Sequence, residues 1–360
     1  MTRREQEILA WIREDPLISQ QELARRAGIT RSSVAVHISN LMRKGLIRGR
    51  GYLLGEGDYV AVVGAVNVDI GGTPDSTLVP ADSNPGRVTV TLGGVGRNIA
   101  ENLCRLGKRV LMVTAVGEDA HAQQIQQSCR ELGIDLSHSL TVPNARTSTY
   151  LCLNDADGEI VGAVSDMAIY DALTPAYLST QLEALNRAAL VVLDANLPPE
   201  SLSYLAANLK PPLFADPVSV KKAGRLRPIL GRLTAMKPNR PEASLLTGVE
   251  IRGDGDLPRA AEAFFALGLQ NVFISLGAQG VYYDDGHERG ILPCFASPVT
   301  NTTGCGDAFL AAAACAWQEG RSLREMALSG LAASAICARA DSAVSPLITP
   351  DAIAGIVQNA

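Results

Sequence analysis

The fold of this chain is indicated most strongly by Asn301-Thr302-Thr303-Gly304-Cys305-Gly306-Asp307, which is followed by the apolar helical run Ala308–Trp317. Two glycines let the backbone approach a ligand closely, and a helix start points N–H groups at it. An aspartate that caps a helix after a turn is common. This seven-residue stretch directly before an alanine-rich helix is a far more specific signal. The stretch predicts an anion hole at a helix N-terminus, with the Asp307 carboxylate at its mouth.

Such a helix start can stabilise a transferred phosphoryl group. Its N–H groups can hold the negative charge that develops on that group. Asp307 can take the proton of an attacking hydroxyl, and a weak base suffices because a loose transition state needs the nucleophile oriented more than strongly activated. The stretch therefore indicates phosphoryl transfer to a hydroxyl.

The body of the chain has the rhythm of a doubly wound α/β sheet. Apolar runs typical of parallel strands alternate with helical stretches. These runs are Tyr59–Val66, Val110–Val116, Leu190–Asp194, Pro212–Asp216 and Val272–Leu276. Residues 70–92 and 147–164 are polar and β-prone without helical period, so we predict that they form a small accessory β-sheet, a lid over the site. Residues 59–360 are assigned to this one domain.

The composition fits a globular protein of a reducing compartment. Of 360 residues, 47% are hydrophobic and 19% are charged, an ordinary balance that can bury a large core. No uncharged apolar run of about 18 residues and no secretion signal occurs, so no membrane span is expected. The seven cysteines form no C-x-x-C pair and the four histidines no ligand pattern. We therefore expect a cytoplasmic protein without a disulfide framework or a zinc site.

Residues 1–54 form a separate, basic module, with ten Lys/Arg against five Asp/Glu in a chain of net charge −5. Two predicted capping boxes, Thr2 with Glu5 and Ser19 with Glu22, open the first two helices, and Thr30 caps a third. The predicted buried face of the third helix consists of Val34, Ile38, Leu41 and Met42. A basic, glycine-rich turn between short apolar runs follows at residues 46–54, and residues 55–58 form a linker.

This order of elements resembles a winged helix-turn-helix module. In that geometry the third helix enters the major groove of double-stranded DNA. Candidate contacts to base edges are Arg31, Ser32, Ser33 and His37. Candidate phosphate contacts are Lys44, Arg48 and Arg50. The alternative is a small three-helix bundle that is used for dimerisation or kept as a relic.

From about Asp58 to the C-terminus, the chain resembles the ribokinase-like family of carbohydrate and nucleoside kinases. Two signatures carry the resemblance: Gly93-Gly94-Val95-Gly96-Arg97-Asn98-Ile99-Ala100 and Thr303-Gly304-Cys305-Gly306-Asp307. The resemblance implies a sugar or nucleoside kinase that uses ATP and Mg²⁺, with Asp307 as the catalytic base. It also implies an anion hole from Gly304, Cys305 and Gly306, with Cys305 where the family usually has alanine. No G-x-x-x-x-G-K-[ST] loop and no G-x-G-x-x-G after a strand occurs, which argues against a P-loop enzyme and a dinucleotide dehydrogenase.

Further stretches resemble the family's nucleotide site. Asn239-Arg240-Pro241-Glu242 is similar to a family motif whose residues organise Mg²⁺ and the phosphates. Glu242 is implied to act on the magnesium through water, since that cation keeps much of its hydration shell. Ser275, Gly277 and Gly280 belong to a stretch that resembles the edge of the ATP groove. At the first position of the second signature, the family usually has an aspartate that helps to bind an activating monovalent cation. This chain has Asn301 there, so a requirement for such a cation stays open.

The resemblance also implies a substrate site. Asn67 and Asp69 stand where family members bind sugar hydroxyls, and a carboxylate can accept two hydroxyl protons from a vicinal diol. Gly93 and Gly94 let the sugar lie against backbone, and Asn98 can bond an oxygen of the ring or its substituents. Several stretches, Asn301 among them, look like the pseudouridine kinase branch, which implies pseudouridine 5′-phosphate as product. Additional candidate substrate contacts are Asp82, Ser83 and Asn84 for the uracil edge, Lys222 for base or phosphates, and Thr149 and Asp166 in the lid.

Other interpretations stay open at this point. The chain could phosphorylate another nucleoside or a ribose-type sugar. It could also be a transcription regulator whose kinase fold only senses a ligand. A homodimer is expected, because winged modules usually read paired half-sites and lid sheets in this family often pair.

Overall fold

The computed structural model describes residues 1–15, 17–47, 59–156 and 160–358. The chain divides into two compact units, Met1–Asp58 and Tyr59–Ala360. The predicted linker at 55–58 and the predicted wing arginines Arg48 and Arg50 lie outside the described residues. In the described part, no helix is both long and apolar enough to cross a bilayer.

The first unit contains three helices, α1 (Arg3–Glu14), α2 (Gln20–Ala27) and α3 (Arg31–Arg43). The capping box of Thr2 and Glu5 at the start of α1 is confirmed. The second predicted box is only half formed. Ser19 accepts the N–H of Glu22, but the Glu22 carboxylate pairs with two arginines of its own helix. An acidic side chain one turn before two arginines forms ion pairs on the helix surface instead of returning to the backbone.

The apolar faces of these helices share one small core. Its fully buried members include Ile8, Ile12, Leu23, Val34 and Leu41. Met42, which we predicted on the buried face of α3, is 46% exposed. It directly follows Leu41, so the helical rotation of about 100° per residue turns it away from the core.

The second unit is a three-layer α/β domain with a small additional sheet. Its strands are β1 (Tyr59–Val63), β2 (Asn67–Pro74), β3 (Gly86–Gly93), β4 (Arg109–Val113), β5 (Ala115–Val116), β6 (Ile134–Asp135), β7 (Leu140–Thr141), β8 (Thr149–Asn154), β9 (Ile160–Asp166), β10 (Leu190–Asp194), β11 (Leu213–Asp216), β12 (Ala235–Met236), β13 (Asn271–Ser275), β14 (Val281–Asp284) and β15 (Arg289–Leu292). Its helices are α4 (Val95–Arg105), α5 (Ala120–Leu132), α6 (Pro175–Leu185), α7 (Pro199–Asn208), α8 (Val220–Ala223), α9 (Arg240–Thr247), α10 (Leu257–Ala266), α11 (Cys305–Gln318), α12 (Leu323–Cys337) and α13 (Pro350–Gln358).

The large sheet has the strand order β15-β14-β13-β12-β11-β10-β1-β4-β6. The strands from β13 to β6 are parallel, and β14 and β15 add an antiparallel edge. The predicted doubly wound sheet is thus confirmed. Strand order reverses at β1, which has β4 on one side and β10 on the other. In open sheets of this kind, ligands bind beyond the carboxyl ends of the strands at such a switch point.

Helices cover both faces of the large sheet and bury two apolar clusters. Helix α11 runs through the first of them, and its residues Asp307–Ala316 are all buried. The alanines explain this position, because small side chains let α11 pack closely against α4 and α12. The helix that carries the predicted anion hole is therefore held on every side by the core, which fixes its N-terminus.

The lid predicted from two separate segments is a four-stranded sheet of order β3-β2-β8-β9. Strands β2 and β8 are parallel, and β3 and β9 pair antiparallel with them on the outside. Strand β2 starts just past the end of β1. The lid is therefore anchored at the carboxyl edge of the large sheet, where the predicted site lies.

Candidate active site

Polar and charged side chains converge where parallel strands of the large sheet end. Asp194 ends β10, Asp216 ends β11, Lys237 follows β12, and Asn67 lies just beyond β1. All four are buried. A buried charged group is costly unless it is hydrogen-bonded or meets a ligand, so such a concentration marks a functional edge.

The N-terminus of α11 provides the predicted anion hole. Among the described residues, the N–H groups of Gly306 and Asp307 have no acceptor, whereas the N–H of Cys305 reaches the carbonyl oxygen of Thr302 at 3.3 Å. The N–H of Gly304 has no acceptor there either, so the assignment of the hole to Gly304, Cys305 and Gly306 stays a prediction. Gly304 has φ 81°, and a Cβ there would lie 1.8 Å from the carbonyl oxygen of Ala343, so only glycine fits.

Asp307 sits at the mouth of this hole and is held by a residue of the other signature. The Nδ2–H of Asn98 donates to its Oδ2 at 2.8 Å, across 209 positions of sequence. Burial, and then the charge of Asp216, raise the pKa of Asp307 well above its usual range, while Asn98 and Lys237 oppose the rise. A carboxylate with a raised pKa is a stronger base, which suits proton abstraction from a hydroxyl. The remaining Oδ1 of Asn98 is buried without a partner.

The sugar side of the site forms at the base of the lid. The amide of Asn67 donates to the carboxylate of Asp69. A Cβ at Gly93 would lie 2.0 Å from that carboxylate, so only glycine leaves room for the Asp69 side chain at the end of β3. Gly94 has φ 97° and precedes α4 directly. Burial raises the pKa of Asp69 to about 6. Asn67, Asp69 and Gly93 thus lie together at the base of the lid, and their binding of a sugar stays a prediction.

The nucleotide side is organised by the start of α9. Asn239 and Glu242 form a reciprocal capping box, with both hydrogen bonds at 2.9 Å. Ser275 pairs with Asn239 through a parallel bridge, and its N–H donates to Pro238 at 2.9 Å. Gly277 and Gly280, with φ 64° and 108°, bound a tight turn directly after β13. The loop implied to line the ATP groove therefore lies beside the start of α9.

The donor set fits Mg²⁺ that is held through water and phosphate. In the described part of the chain, no three His, Cys, Asp or Glu side chains cluster closely enough to bind a metal directly. Glu242 is buried and uses one carboxylate oxygen in the capping box. Its second oxygen is available to a hydrated cation, and Mg²⁺ prefers one or two carboxylates plus substrate phosphates to a protein cage.

Two residues of the site, Asp194 and Lys237, received no individual role in the sequence analysis. Asp194 accepts the N–H groups of Ala65 and Asn196 at 2.7 and 2.8 Å, which shapes the loop after β1. Lys237 lies against Gly306 in the anion hole. The signal that could have found them is their position at the end of an apolar strand or directly after one.

Lys222, which the sequence analysis assigned to the base or the phosphates, donates to Asn196 at 2.5 Å, and burial lowers its pKa. Its contact with a ligand stays a prediction.

Other predicted substrate contacts belong to the lid. Asp82, Ser83 and Asn84 make their hydrogen bonds within the tip of the β2–β3 hairpin. Thr149 and Asp166 pair with each other, and Thr149 aligns with Val68. Side chains alternate along a strand, so both share the face of Val68 and not that of Asp69. The sequence alone could not fix these faces, because the register depends on pairing between distant strands.

The predicted DNA-contacting residues lie on α3 and at its end. Arg31 and Ser32 are exposed, but Ser33 and His37 are half-buried, and Nδ1 of His37 is buried without a partner. The exposed face of α3 also includes Ala35, Val36 and Ser39, which we did not predict. Lys44 donates to the buried carboxylate of Glu5 at 2.7 Å, so it also ties α3 to α1.

Comparison with known proteins agrees with this geometry. Residues 58–350 match the pfkB family carbohydrate kinase model, and residues 1–48 match the winged helix-turn-helix DNA-binding model. The pseudouridine kinase of Escherichia coli (strain K12) is 37% identical over 309 residues, or 85% of this chain and 98% of that protein. The uncharacterized sugar kinase YeiI of the same organism is 37% identical over 356 residues, 98% of each chain.

The fold is also shared with a solved kinase. The structure of Arabidopsis thaliana ribokinase complexed with ribose and ATP has a TM-score of 0.75 over 84% of this chain and 99% of that chain, at 23% identity.

Proposed function

Because this chain belongs to the pfkB family of carbohydrate kinases, we propose that it transfers the γ-phosphoryl group of ATP to the 5′-hydroxyl of pseudouridine. The observation that carries the proposal is the contact between Asn98 and Asp307 beside the acceptor-free N–H groups of α11. A base, an anion hole and a sugar-binding surface meet there. The substrate is supported by the 37% identity to a pseudouridine kinase over nearly all of that protein.

The reaction follows from the residues in place. Asp69 and Asn67 bind hydroxyls of the ribose and present its 5′-oxygen to Asp307. The carboxylate of Asp307 takes the proton of that oxygen as it attacks the γ-phosphorus. The bond to the ADP oxygen breaks, and the N–H groups of Gly306 and Asp307 hold the charge of the transferred group. Magnesium, when bound through Glu242 and water, neutralises the phosphates.

The first experiment is a substrate panel. Purified protein is incubated with ATP, Mg²⁺ and pseudouridine, uridine, inosine or ribose, and ADP release is followed. Turnover on pseudouridine is expected to exceed that on the others. Asp307→Asn should lower kcat by about 10²–10⁴-fold, the range for a lost general base. Asp171→Asn, at an exposed aspartate outside the site, is the matched control and should keep the wild-type rate.

The outcomes separate the alternatives. Turnover on inosine or ribose instead would keep the kinase and overturn the pseudouridine assignment. No turnover on any compound would favour a ligand-sensing regulator. Unchanged turnover in Asp307→Asn would contradict the role of the base.

We also propose that the first unit binds double-stranded DNA and regulates genes through it. This second function is favoured by the winged helix-turn-helix match and by the exposed Arg31 and Ser32 at the start of α3. N-terminal residues of a recognition helix are those that reach base edges. Fluorescence anisotropy of the full chain on DNA from its own promoter region would measure this. Arg31→Ala should weaken specific binding by about 1–3 kcal/mol and leave kcat unchanged. Equal affinity for all DNA sequences would contradict sequence recognition.

A further inference from the structure

A buried lysine lies beside the anion hole and forms no ion pair with any of the described residues. Lys237 follows β12 and is 8% exposed. Within the described residues its ammonium group makes neither a hydrogen bond nor an ion pair. A buried ammonium group that is left unpaired costs several kcal/mol in general. The ammonium group of Lys237 is therefore available to an anionic ligand.

The ammonium group points at the N-terminus of α11. A Cβ built on Gly306 would lie 2.9 Å from Nζ and 3.3 Å from Cε of Lys237. The N–H groups of Gly306 and Asp307, which have no acceptor among the described residues, start from the same backbone. Three donors thus lie close together. Donors without an acceptor repel one another, so this arrangement is complementary to an anion.

Among the described residues, the neighbouring carboxylates form no ion pair with Lys237. Asp216 accepts the N–H of Val218 at 2.7 Å, and Glu242 accepts the N–H of Asn239 at 2.9 Å. Asp307 accepts from Asn98. The positive charge of Lys237 lowers the pKa of all three carboxylates against the effect of burial, so it lies near them. Each carboxylate has its own donor, and the ammonium group is left for a ligand.

We propose that Lys237 is a catalytic residue that binds the γ-phosphoryl group of ATP in the anion hole. The inference rests on the kinase reaction and not on the identity of the nucleoside. The bond from phosphorus to the ADP oxygen breaks, the bond to the substrate oxygen forms, and the hydroxyl proton goes to Asp307. The ammonium group offsets charge on the equatorial oxygens, which is the role that positively charged clamps have in phosphoryl transfer.

Lys237→Met tests this role, since methionine keeps much of the side-chain shape without the charge. We expect kcat to fall by about 10²–10³-fold, the usual loss when one donor to such a charge is removed. The affinity for ADP should stay within about threefold of wild type, because ADP has no γ-phosphate. The preference for the non-hydrolysable analogue AMP-PNP over ADP, measured by calorimetry, should fall at least tenfold. Lys210→Met, at an exposed lysine, is the matched control and should change neither quantity.

Two results would overturn the proposal: a kcat within threefold of wild type, or a loss of kcat with an unchanged preference for AMP-PNP over ADP. The second result would mean that Lys237 only balances the buried carboxylates. If Lys237→Met does not fold, Lys237→Gln is measured in the same way. The two binding constants need no nucleoside, so they decide the role of Lys237 even if pseudouridine is not the substrate.

Discussion

Opposing effects set the basicity of Asp307. Burial and the charge of Asp216 raise its pKa, whereas the Nδ2–H of Asn98 and the charge of Lys237 lower it. Catalysis needs the ionised carboxylate, so activity is lost as the pH falls through this pKa. The hydrogen bond from Asn98 therefore extends the working range of the enzyme towards lower pH.

Asn98→Leu should move the acidic limb of the profile of kcat against pH to higher pH. The leucine removes the donor that favours the charged form, so the pKa of Asp307 rises further. A pH series from 5.5 to 9 with saturating substrate measures the limb. If the acidic limb stayed at the wild-type pH and only KM rose, Asn98 would bind the substrate and would not set the pKa of Asp307.

Asp69 illustrates a conflict between binding and stability. Burial raises its pKa to about 6, so above that pH the folded protein contains a carboxylate that would be better solvated in the unfolded chain. Its contribution to stability is therefore most favourable at low pH and declines as the pH rises through 6. The charged form is the one that accepts hydroxyl protons of a sugar.

Asp69→Asn should raise the melting temperature by a few degrees at pH 8 and much less at pH 4, because the destabilisation develops between the ordinary value of 3.8 and the raised value of about 6. The same change should raise KM for the nucleoside by about 10–100-fold, the effect of a lost hydrogen bond to a charged group. Thermal melts at the two pH values, with steady-state kinetics, check both parts. Equal melting temperatures at pH 8 would contradict the burial effect.

At the scale of helices, one ion pair joins the beginning of α1 to the end of α3. The carboxylate of Glu5 caps α1 and accepts from Lys44 at 2.7 Å. The hydrogen bond from Lys44 lowers the pKa of Glu5 to about 2 from an ordinary value of 4.5. The contribution of this pair to stability is therefore complete above pH 4.5 and is lost as the pH falls through 2.

Glu5→Gln should lower the melting temperature of the first unit by several degrees at pH 7, and the difference should shrink below pH 4. Glutamine keeps the capping geometry but removes the charge. The chain has two tryptophans, so fluorescence of Trp11 in a Trp317→Phe background reports the first unit. Glu7→Gln, which breaks an exposed pair, is the control and should change the melting temperature by less than about one degree. Equal effects of both changes would contradict a special role for the pair.

At the scale of the whole molecule, the lid has one apolar, solvent-exposed face. The register of the four strands aligns its members, Val88, Val90, Leu151, Leu153 and Val164, which are 42–70% exposed. Such a face normally marks an interface. A second copy of the chain is the occupant that we predict, because winged modules usually read paired half-sites.

Val90→Glu should convert a dimer into a monomer, because it places charges in the apolar contact. Light scattering after gel filtration measures the mass. Leu347→Glu, at another exposed apolar residue, is the control and should leave the dimer intact. A wild-type monomer at all concentrations, or a dimer that survives Val90→Glu, would contradict the prediction.

The sequence by itself determined the class of the fold and the chemistry of the site. The apolar runs coincide with β1, β4, β10, β11 and β13 within a few residues, because strands covered on both faces need continuous apolar sequence. The glycines and Asp307 were identifiable because a backbone that must approach a phosphate tolerates few alternatives. Short strands such as β12 were missed, since two residues carry no periodicity.

Only the tertiary structure decided which of these groups meet. Asn98 and Asp307 are 209 positions apart, and no local pattern predicts their hydrogen bond. The faces of Thr149 and Asp166 depend on strand register, which is set by pairing between distant segments. In the sequence, Lys237 is a lysine that follows two apolar residues, and no local pattern marks it as functional. It becomes a candidate catalytic residue only because the end of β12 and the start of α11 bring its ammonium group against Gly306, where it forms no ion pair with any described residue.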